Sequence, residues 1–213
     1  MSDRKSLSRS ITTNAQLLVE GRTPEIFFRE MVEYLGLADR IQVRDFGSIS
    51  DLTDYLKDFT QKADFIETVT SLGIIRDAED KPASSGFDSV CHSLKTAGIT
   101  PPEKIGEVEQ KTIKVGVFIL PDCQNEGMIE TLCLDSVANE ASALQCVNDY
   151  FNCLKAKSVT WPANITKAKT WAFLATKDIS DPQVGRAAQT KIWHWDANAF
   201  EKLRNFLKDL AQS

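Results

Sequence analysis

The segment KTIKVGVFIL (residues 111–120) is rich in β-branched and apolar residues and becomes almost continuously apolar after Lys114. A run of this kind is typical of a strand buried on both faces at the centre of a parallel sheet. We therefore predict a central strand here, ending at the loop PDCQNEG (121–127).

Strand-like and helix-like segments alternate on the N-terminal side of this strand. Apolar runs such as AQLLVEG (15–21) are followed by stretches with apolar residues at helical spacing, such as TPEIFFREMVEYLGL (23–37). The predicted strands cover 15–21, 41–47, 69–77 and 111–120, and the predicted helices cover 23–37, 49–69 and 84–99, with a further helix from residue 128. This alternation predicts βαβ units, and hence an α/β fold with a mainly parallel, four-stranded sheet flanked by helices.

The pattern changes after residue 135. Three segments with helical spacing follow, at 142–156, 164–178 and 196–212, and no clear strand lies between them. The predicted organisation is an N-terminal tail (1–14), an α/β domain (15–135) and a helical C-terminal subregion (136–213) packed on that domain.

Composition limits the classes of function. A net charge of −5 and a pI near 5.2 argue against binding nucleic acid mainly through a basic surface, so such a role would need a local basic patch, a metal or a basic partner. The five cysteines form no CxxC pair, which fits a reducing cytoplasm better than a zinc knuckle or a disulfide framework. No stretch approaches the roughly 20 apolar residues that span a bilayer, so we expect no membrane association.

Acidic residues follow three of the predicted strands. Because ligands bind beyond the carboxyl ends of parallel strands, we expect these acids to converge at one edge of the sheet. Clustered carboxylates are costly unless they are protonated or neutralised, and Mg²⁺ or Mn²⁺ is a suitable neutraliser. Each acid alone also fits a turn, a cap or a solvated helix face, but together they favour a metal site. They are Glu20 after the first strand, Asp77, Glu79 and Asp80 after the third, and Asp122, Glu126 and Glu130 after the last.

Three motifs carry a resemblance to a known family. VEGRTPEIFF (19–28), GIIRDAED (73–80) and LPDCQNEGMIETL (120–132) resemble, in this order, motifs of the Toprim domain in OLD-type nucleases, in a compact stand-alone form. The likeness covers residues 15–135 and extends more faintly into the C-terminal part. It implies a Toprim-like, Rossmann-like fold.

The resemblance also implies roles for individual residues. Glu20 would be a metal ligand or a general acid/base, and Asp77 with Glu79 would occupy the two positions of an Asp-x-Asp motif, with Asp80 as a substitute for the second. Glu130 would help to hold a second metal, with Asp122 and Glu126 nearby. Lys167 or Lys169 would stabilise phosphate charge.

The activity implied by the resemblance is Mg²⁺- or Mn²⁺-dependent hydrolysis of phosphodiester bonds in DNA or RNA. The chain has no GxxxxGK[ST] phosphate loop of its own. Because OLD-type proteins work with an ATPase, the resemblance implies an effector that acts with a separate AAA- or ABC-type ATPase, in anti-phage defence. The sequence leaves open whether it forms a homo-oligomer.

Two other functions stay open. Position 79 is Glu where Asp is usual, and Pro24 stands where OLD nucleases carry an acid, with Glu25 one residue later. Both departures fit a binding or regulatory module that has lost catalysis. A receiver-like phosphotransfer domain is a weaker alternative, because the expected strand-end lysine is missing. His92 and His194 have no Ser or Cys motif beside them and are expected to be structural, and the tryptophans of WHW (193–195) are expected to pack in the core or an interface.

Overall fold

The computed structural model describes residues 10–212, so most of the predicted tail (residues 1–9) and Ser213 lie outside the described residues. It contains a five-stranded sheet with the strand order β2-β1-β3-β5-β4. The strands are β1 (Ala15–Val19), β2 (Ile41–Asp45), β3 (Ser71–Asp77), β4 (Val108–Gln110) and β5 (Lys114–Leu120).

Four of these strands are parallel, at the places where the sequence predicts them. The fifth, β4, pairs antiparallel with β5 at the edge of the sheet, and the four-strand prediction misses it. Its three residues, VEQ, are too few to show the alternation that marks a strand.

Helices cover both faces of the sheet. They are α1 (Arg22–Tyr34), α2 (Leu52–Thr60), α3 (Ala63–Thr68), α4 (Ala83–Thr96), α5 (Ile129–Ser136), α6 (Ala141–Ala156), α7 (Ile165–Leu174), α8 (Val184–Gln189) and α9 (Glu201–Ala211), the last preceded by a short 3-10 turn (Asn198–Phe200).

The single helix predicted over 49–69 is two helices, because Lys62 adopts an extended backbone (ψ 138°) between α2 and α3. The short helix α8 was not predicted.

Alternation along the strands separates two apolar cores. Leu17, Ile75 and Phe118 face a core shared with α1 and the helices α5 to α9. Their strand neighbours Leu18 and Ile74 face the opposite core, which α2, α3 and α4 cover. The result is a three-layer α/β/α arrangement.

The last helix, α9, packs directly on the middle of the sheet. It lies over Gly73 of β3 and Gly116 of β5, where an added Cβ would come within 2.7 Å of Leu210 and Phe206, respectively. Glycine at these two positions therefore lets the helix approach the strands closely. The helical C-terminal part thus supplies one cover of the sheet.

The parallel register brings the carboxyl ends of the strands to one edge. Val19 pairs with Ile75, and Asp77 pairs with Leu120, so Glu20, the residues after β3 and the loop after β5 leave the sheet at the same side. Within residues 10–212 no helix is both long and apolar enough to cross a membrane.

Candidate functional site

Two adjoining pockets lie at this edge, with volumes of about 620 Å³ and 460 Å³. Asp77, Glu79 and Lys167 line both of them. We call them the outer pocket, whose further acids are Asp80 and Glu126, and the inner pocket, whose further acids are Glu20 and Glu130. Six of the seven acids predicted from strand ends therefore line this double pocket.

Asp77, the last residue of β3, is partly buried and lies against the first turn of α5. The backbone N–H of Ile129 donates a 2.9 Å hydrogen bond to its Oδ1. The pKa of Asp77 is raised to about 7, mainly by burial and then by the charges of Glu130 and, more weakly, Glu20, while the Ile129 N–H and Lys167 oppose the rise. The carboxyl is therefore poised to exchange a proton near neutral pH.

Glu130, on the first turn of α5, is almost fully buried, with 7% of its surface exposed. Its Oε2 has no hydrogen-bond partner among the described residues. Burial raises the pKa of Glu130, while its own backbone N–H and Lys167 oppose the shift. A buried carboxylate oxygen without a partner is costly, and a proton or a cation would remove that cost.

Glu20 follows β1 and is held from two sides. The backbone N–H of Ile49 donates a 3.0 Å hydrogen bond to its Oε1, and Arg76 Nε lies 4.0 Å from its Oε2. Gly21, with φ +92°, then turns the chain directly into α1. This turn places Glu20 on the inner pocket rather than inside a longer strand.

The structure distinguishes Glu79 from Asp80. Glu79 has a left-handed backbone (φ +59°), and its N–H and C=O each form a 2.8 Å hydrogen bond with Gly127. This bridge ties the loop after β3 to the loop after β5. Glu79 lines both pockets, whereas Asp80 lines only the outer one, so Glu79 is the second acid placed with Asp77.

Two predicted site residues lie away from the double pocket. Asp122 caps its own loop, where its Oδ1 accepts hydrogen bonds from the backbone N–H groups of Gln124 and Asn125. Lys169 donates a 2.8 Å hydrogen bond to Asn148 Oδ1. Lys167, two residues earlier on α7, lines both pockets and is the lysine that faces the acids.

The acid that the resemblance would place at position 24 has no replacement here. Pro24 lines the inner pocket, but Glu25 does not. Instead, Glu25 is buried and forms ion pairs with Arg22 and Arg29 on α1. One-residue displacement on a helix turns a side chain by roughly 100°, which accounts for this different direction.

Across residues 10–212 the side chains form no group of three or more His, Cys, Asp or Glu that could hold a metal ion. The donors at the double pocket are nevertheless hard oxygen ligands, and Glu130 Oε2 has no partner. Mg²⁺ is often held by only one or two carboxylates, with waters and substrate phosphates completing its shell. The residues present fit that kind of cation site.

Trp171, which was not among the predicted site residues, lines the inner pocket together with Gln183. The available signal was its position four residues after Lys167, on the same face of α7. Trp193 and Trp195, by contrast, are buried, as predicted for WHW. Trp193 Nε1 donates a 2.9 Å hydrogen bond to the carbonyl of Val184.

Comparison with known proteins gives a family for almost the whole described chain. Residues 14–212 match the family described as "Protein of unknown function (DUF3226)". The chain belongs to the DUF3226 family. No curated protein matches this DUF3226 member.

Two solved structures are distantly similar to this DUF3226 chain. Both are of the C-terminal region of the Xanthomonas campestris pv. campestris OLD protein, one phased with mercury (13% identity) and one phased with iodine (15% identity). Each has a TM-score of 0.46, and the similarity covers 92% of this chain and 95% of the other.

Proposed function

We propose that this protein is a metal-dependent, Toprim-like nuclease that hydrolyses phosphodiester bonds in DNA or RNA. The observation that carries the proposal is the pair formed by Asp77 and Glu130. The pKa of Asp77 is raised to about 7, and Glu130 has a buried oxygen without a partner among the described residues. The charge of Lys167 lowers the pKa of both carboxyl groups. Such a pair is suited to binding a divalent cation.

In this proposal Asp77 and Glu130 hold the cation, and Glu79 adds a carboxylate from the rim. A bound Mg²⁺ or Mn²⁺ would lower the pKa of a water ligand and neutralise charge on the phosphate. Ionised Asp77 is favoured once the cation is present, because opposite charge lowers its pKa.

The other two groups act on the substrate and on water. Glu20, whose Oε1 accepts the Ile49 N–H, would accept a proton from the attacking water. Lys167 is placed to interact with the phosphate, whose charge it stabilises. The lysine also limits repulsion between the acids and the anionic substrate.

A cleavage assay tests this function. The purified protein is incubated with plasmid, linear DNA and RNA in Mg²⁺, in Mn²⁺ and in EDTA, beside Asp77→Asn and Glu130→Gln. Glu33→Gln is the matched control, because Glu33 is an exposed glutamate on α1 outside the double pocket. We expect cleavage that needs the metal, is lost in the first two variants and persists in the control. Equal cleavage by all four proteins would identify a contaminating nuclease and refute the proposal.

The resemblance further supports the proposal that the protein works as the effector of a separate ATPase in anti-phage defence. If so, the ATPase should increase cleavage in an ATP-dependent manner. Reconstitution with the ATPase encoded nearest to this chain would measure that increase, and no change in rate would refute the partnership.

Two observations favour the second candidate, a module that binds ligands without catalysis. The described residues hold no three-ligand group, and Glu25 is engaged by Arg22 and Arg29 rather than by the pocket. This candidate predicts nucleic-acid or cation binding with no cleavage under any metal. The same assay, run together with a binding measurement, separates the two.

A further inference from the structure

One segment of this acidic protein is strongly basic. The whole chain has a net charge of −5, yet residues 150–177 contain five lysines and neither Asp nor Glu. This stretch runs from the middle of α6 through α7, which is the helix that carries Lys167. The segment therefore adds local positive charge, which nucleic-acid binding by an acidic chain requires.

Three of these lysines, Lys155, Lys157 and Lys167, are exposed and form no close ion pair with a described carboxylate, although Lys167 acts on Asp77 and Glu130 at longer range. The other two are engaged, Lys169 by Asn148 and Lys177 by an ion pair with Glu140. The unpaired charges thus lie at the end of α6 and on the first turns of α7.

The same segment exposes large aromatic side chains. Tyr150, Trp161 and Trp171 are 55%, 45% and 55% exposed, and they line an open groove of about 390 Å³ with Pro162 and Ala168. We call this the tryptophan groove. The Trp161 ring is supported edge-on by Phe151, with centroids 6.2 Å apart and planes at 78°. Exposed aromatic surface of this kind usually marks a binding site.

The tryptophan groove is continuous with the candidate active site. Trp171 lines both the groove and the inner pocket, which also contains Asp77 and Glu130. Lys167 lies one turn earlier on α7, at the i, i+4 spacing that puts two side chains on one helix face. A ligand that contacts both would run from a carboxylate site, past a lysine, onto an indole.

We propose that the tryptophan groove stacks the bases of a single-stranded nucleic acid while a neighbouring phosphodiester lies at Asp77 and Glu130. This inference rests on the proposed function and specifies its substrate class. A phosphate next to a flat base matches Lys167 next to the Trp171 indole, whereas an apolar protein partner would leave the lysine charge unmatched. Only an unpaired strand presents its base faces, because a duplex stacks them internally.

Fluorescence anisotropy with short labelled oligonucleotides tests this inference in EDTA, where no cleavage is expected. The probes are single-stranded DNA, single-stranded RNA, a strand of the same length with abasic positions, and a duplex. The protein variants are Trp171→Ala, Trp161→Ala and Trp171→Phe. Ile66→Ala is the matched control, because Ile66 is 72% exposed on α3, on the opposite face of the sheet.

We expect the wild-type protein to bind base-bearing single strands more tightly than the abasic strand or the duplex. Trp171→Ala should weaken that binding by about 10-fold or more, leaving abasic binding unchanged. Trp171→Phe should retain most of it, since a phenyl ring also stacks, and Ile66→Ala should retain all of it.

The inference would be overturned by no binding of single strands by the wild-type protein, by equal affinity for abasic and base-bearing strands, or by unchanged affinity in both Trp171→Ala and Trp161→Ala. A dimer in sedimentation equilibrium that Trp161→Ala converts to monomer would also overturn it, since a second copy would then occupy the groove. Binding is measured without metal and is therefore independent of cleavage. Base-dependent binding in a protein that cleaves nothing would refute only the proposed nuclease activity. Cleavage by a protein that shows no base-dependent binding would refute only this inference.

Discussion

Ile129 donates its backbone N–H to Oδ1 of Asp77 over 2.9 Å, although the two residues are 52 positions apart. This bond joins the end of β3 to the start of α5. Since Glu130 is the next residue, it is held beside Asp77, where its charge raises the pKa of that carboxyl. This contact between a strand end and a helix start therefore adds the charge of Glu130 to the effect of burial on Asp77.

The first prediction concerns pH and stability. The pKa of Asp77 is raised from 3.8 to about 7 on folding, so the folded state holds a proton that the unfolded state loses between these values. The corresponding stability is complete below about pH 4 and is lost as the pH rises through about 7. Asp77→Asn keeps the Oδ1 acceptor but cannot ionise. Denaturant unfolding in EDTA should therefore show Asp77→Asn gaining stability relative to wild type between pH 5 and pH 8.

Wild type is the internal reference for this test, because every other titrating group is common to both proteins. The unfolding free energy of Asp77→Asn minus that of wild type should rise by on the order of 1–3 kcal/mol from pH 5 to pH 8. A difference that does not vary with pH would show that Asp77 titrates normally.

The second prediction separates two lysines that the sequence could not tell apart. Lys167 lowers the pKa of Asp77 and lines the pockets, whereas Lys169 is bonded to Asn148. Lys167→Gln should reduce cleavage by at least about 10-fold and move the acidic limb of the pH–rate profile to higher pH, because the pKa of Asp77 then rises further. Lys169→Gln is the control. Equal effects of the two substitutions would contradict the placement of Lys167.

The third prediction concerns the backbone of Glu79. Its φ of +59° is unfavourable for a residue with a Cβ, and Gly would adopt it freely. Glu79→Gly should stabilise the fold by about 0.5–1 kcal/mol while lowering cleavage, because the carboxylate is lost. Asp80→Gly, whose position lacks the left-handed backbone, should destabilise. Thermal unfolding together with the cleavage rate checks both, and a stability loss in Glu79→Gly would contradict this interpretation.

The fourth prediction tests how the last helix covers the sheet. A Cβ at Gly116 would come within 2.7 Å of the Phe206 ring and 2.9 Å of Val108. Gly116→Ala should therefore destabilise the protein by about 1–3 kcal/mol, through overpacking between β5 and α9. Combining it with Phe206→Leu should recover part of the loss in a double-mutant cycle. Additive effects of the two substitutions would mean that they do not meet.

Most of the fold could be predicted from the strand patterns in the sequence. Apolar runs, and alternation of apolar and polar residues at 41–47, predicted four mainly parallel strands, and parallel pairing then placed acids 57 positions apart, Glu20 and Asp77, at one edge. The edge strand β4 was missed because three residues carry no period. The two short helices α3 and α8 were not predicted as separate helices for the same reason, since six residues complete fewer than two turns.

Side-chain direction was beyond the reach of sequence patterns. Lys167 and Lys169 lie on one helix only two positions apart, and only the packing of α7 decides which of them faces the acids. The left-handed backbone of Glu79 depends on its bridge to Gly127, a partner distant in sequence. The tryptophan groove carries no sequence pattern, because Tyr150, Trp161 and Trp171 lie on different elements and meet only through packing.

Calorimetric titration of Mn²⁺ tests the central claim most directly. Titrations at pH 8 with wild type, Asp77→Asn, Glu130→Gln and the control Glu33→Gln compare binding, and repeats near pH 6.5 in two buffers measure proton release. We predict saturable binding in wild type and the control, loss of binding in the two pocket variants, and proton release near pH 6.5, because Asp77 with a pKa of about 7 must give up its proton. No binding by the wild-type protein, or equal binding by all four, would contradict the account.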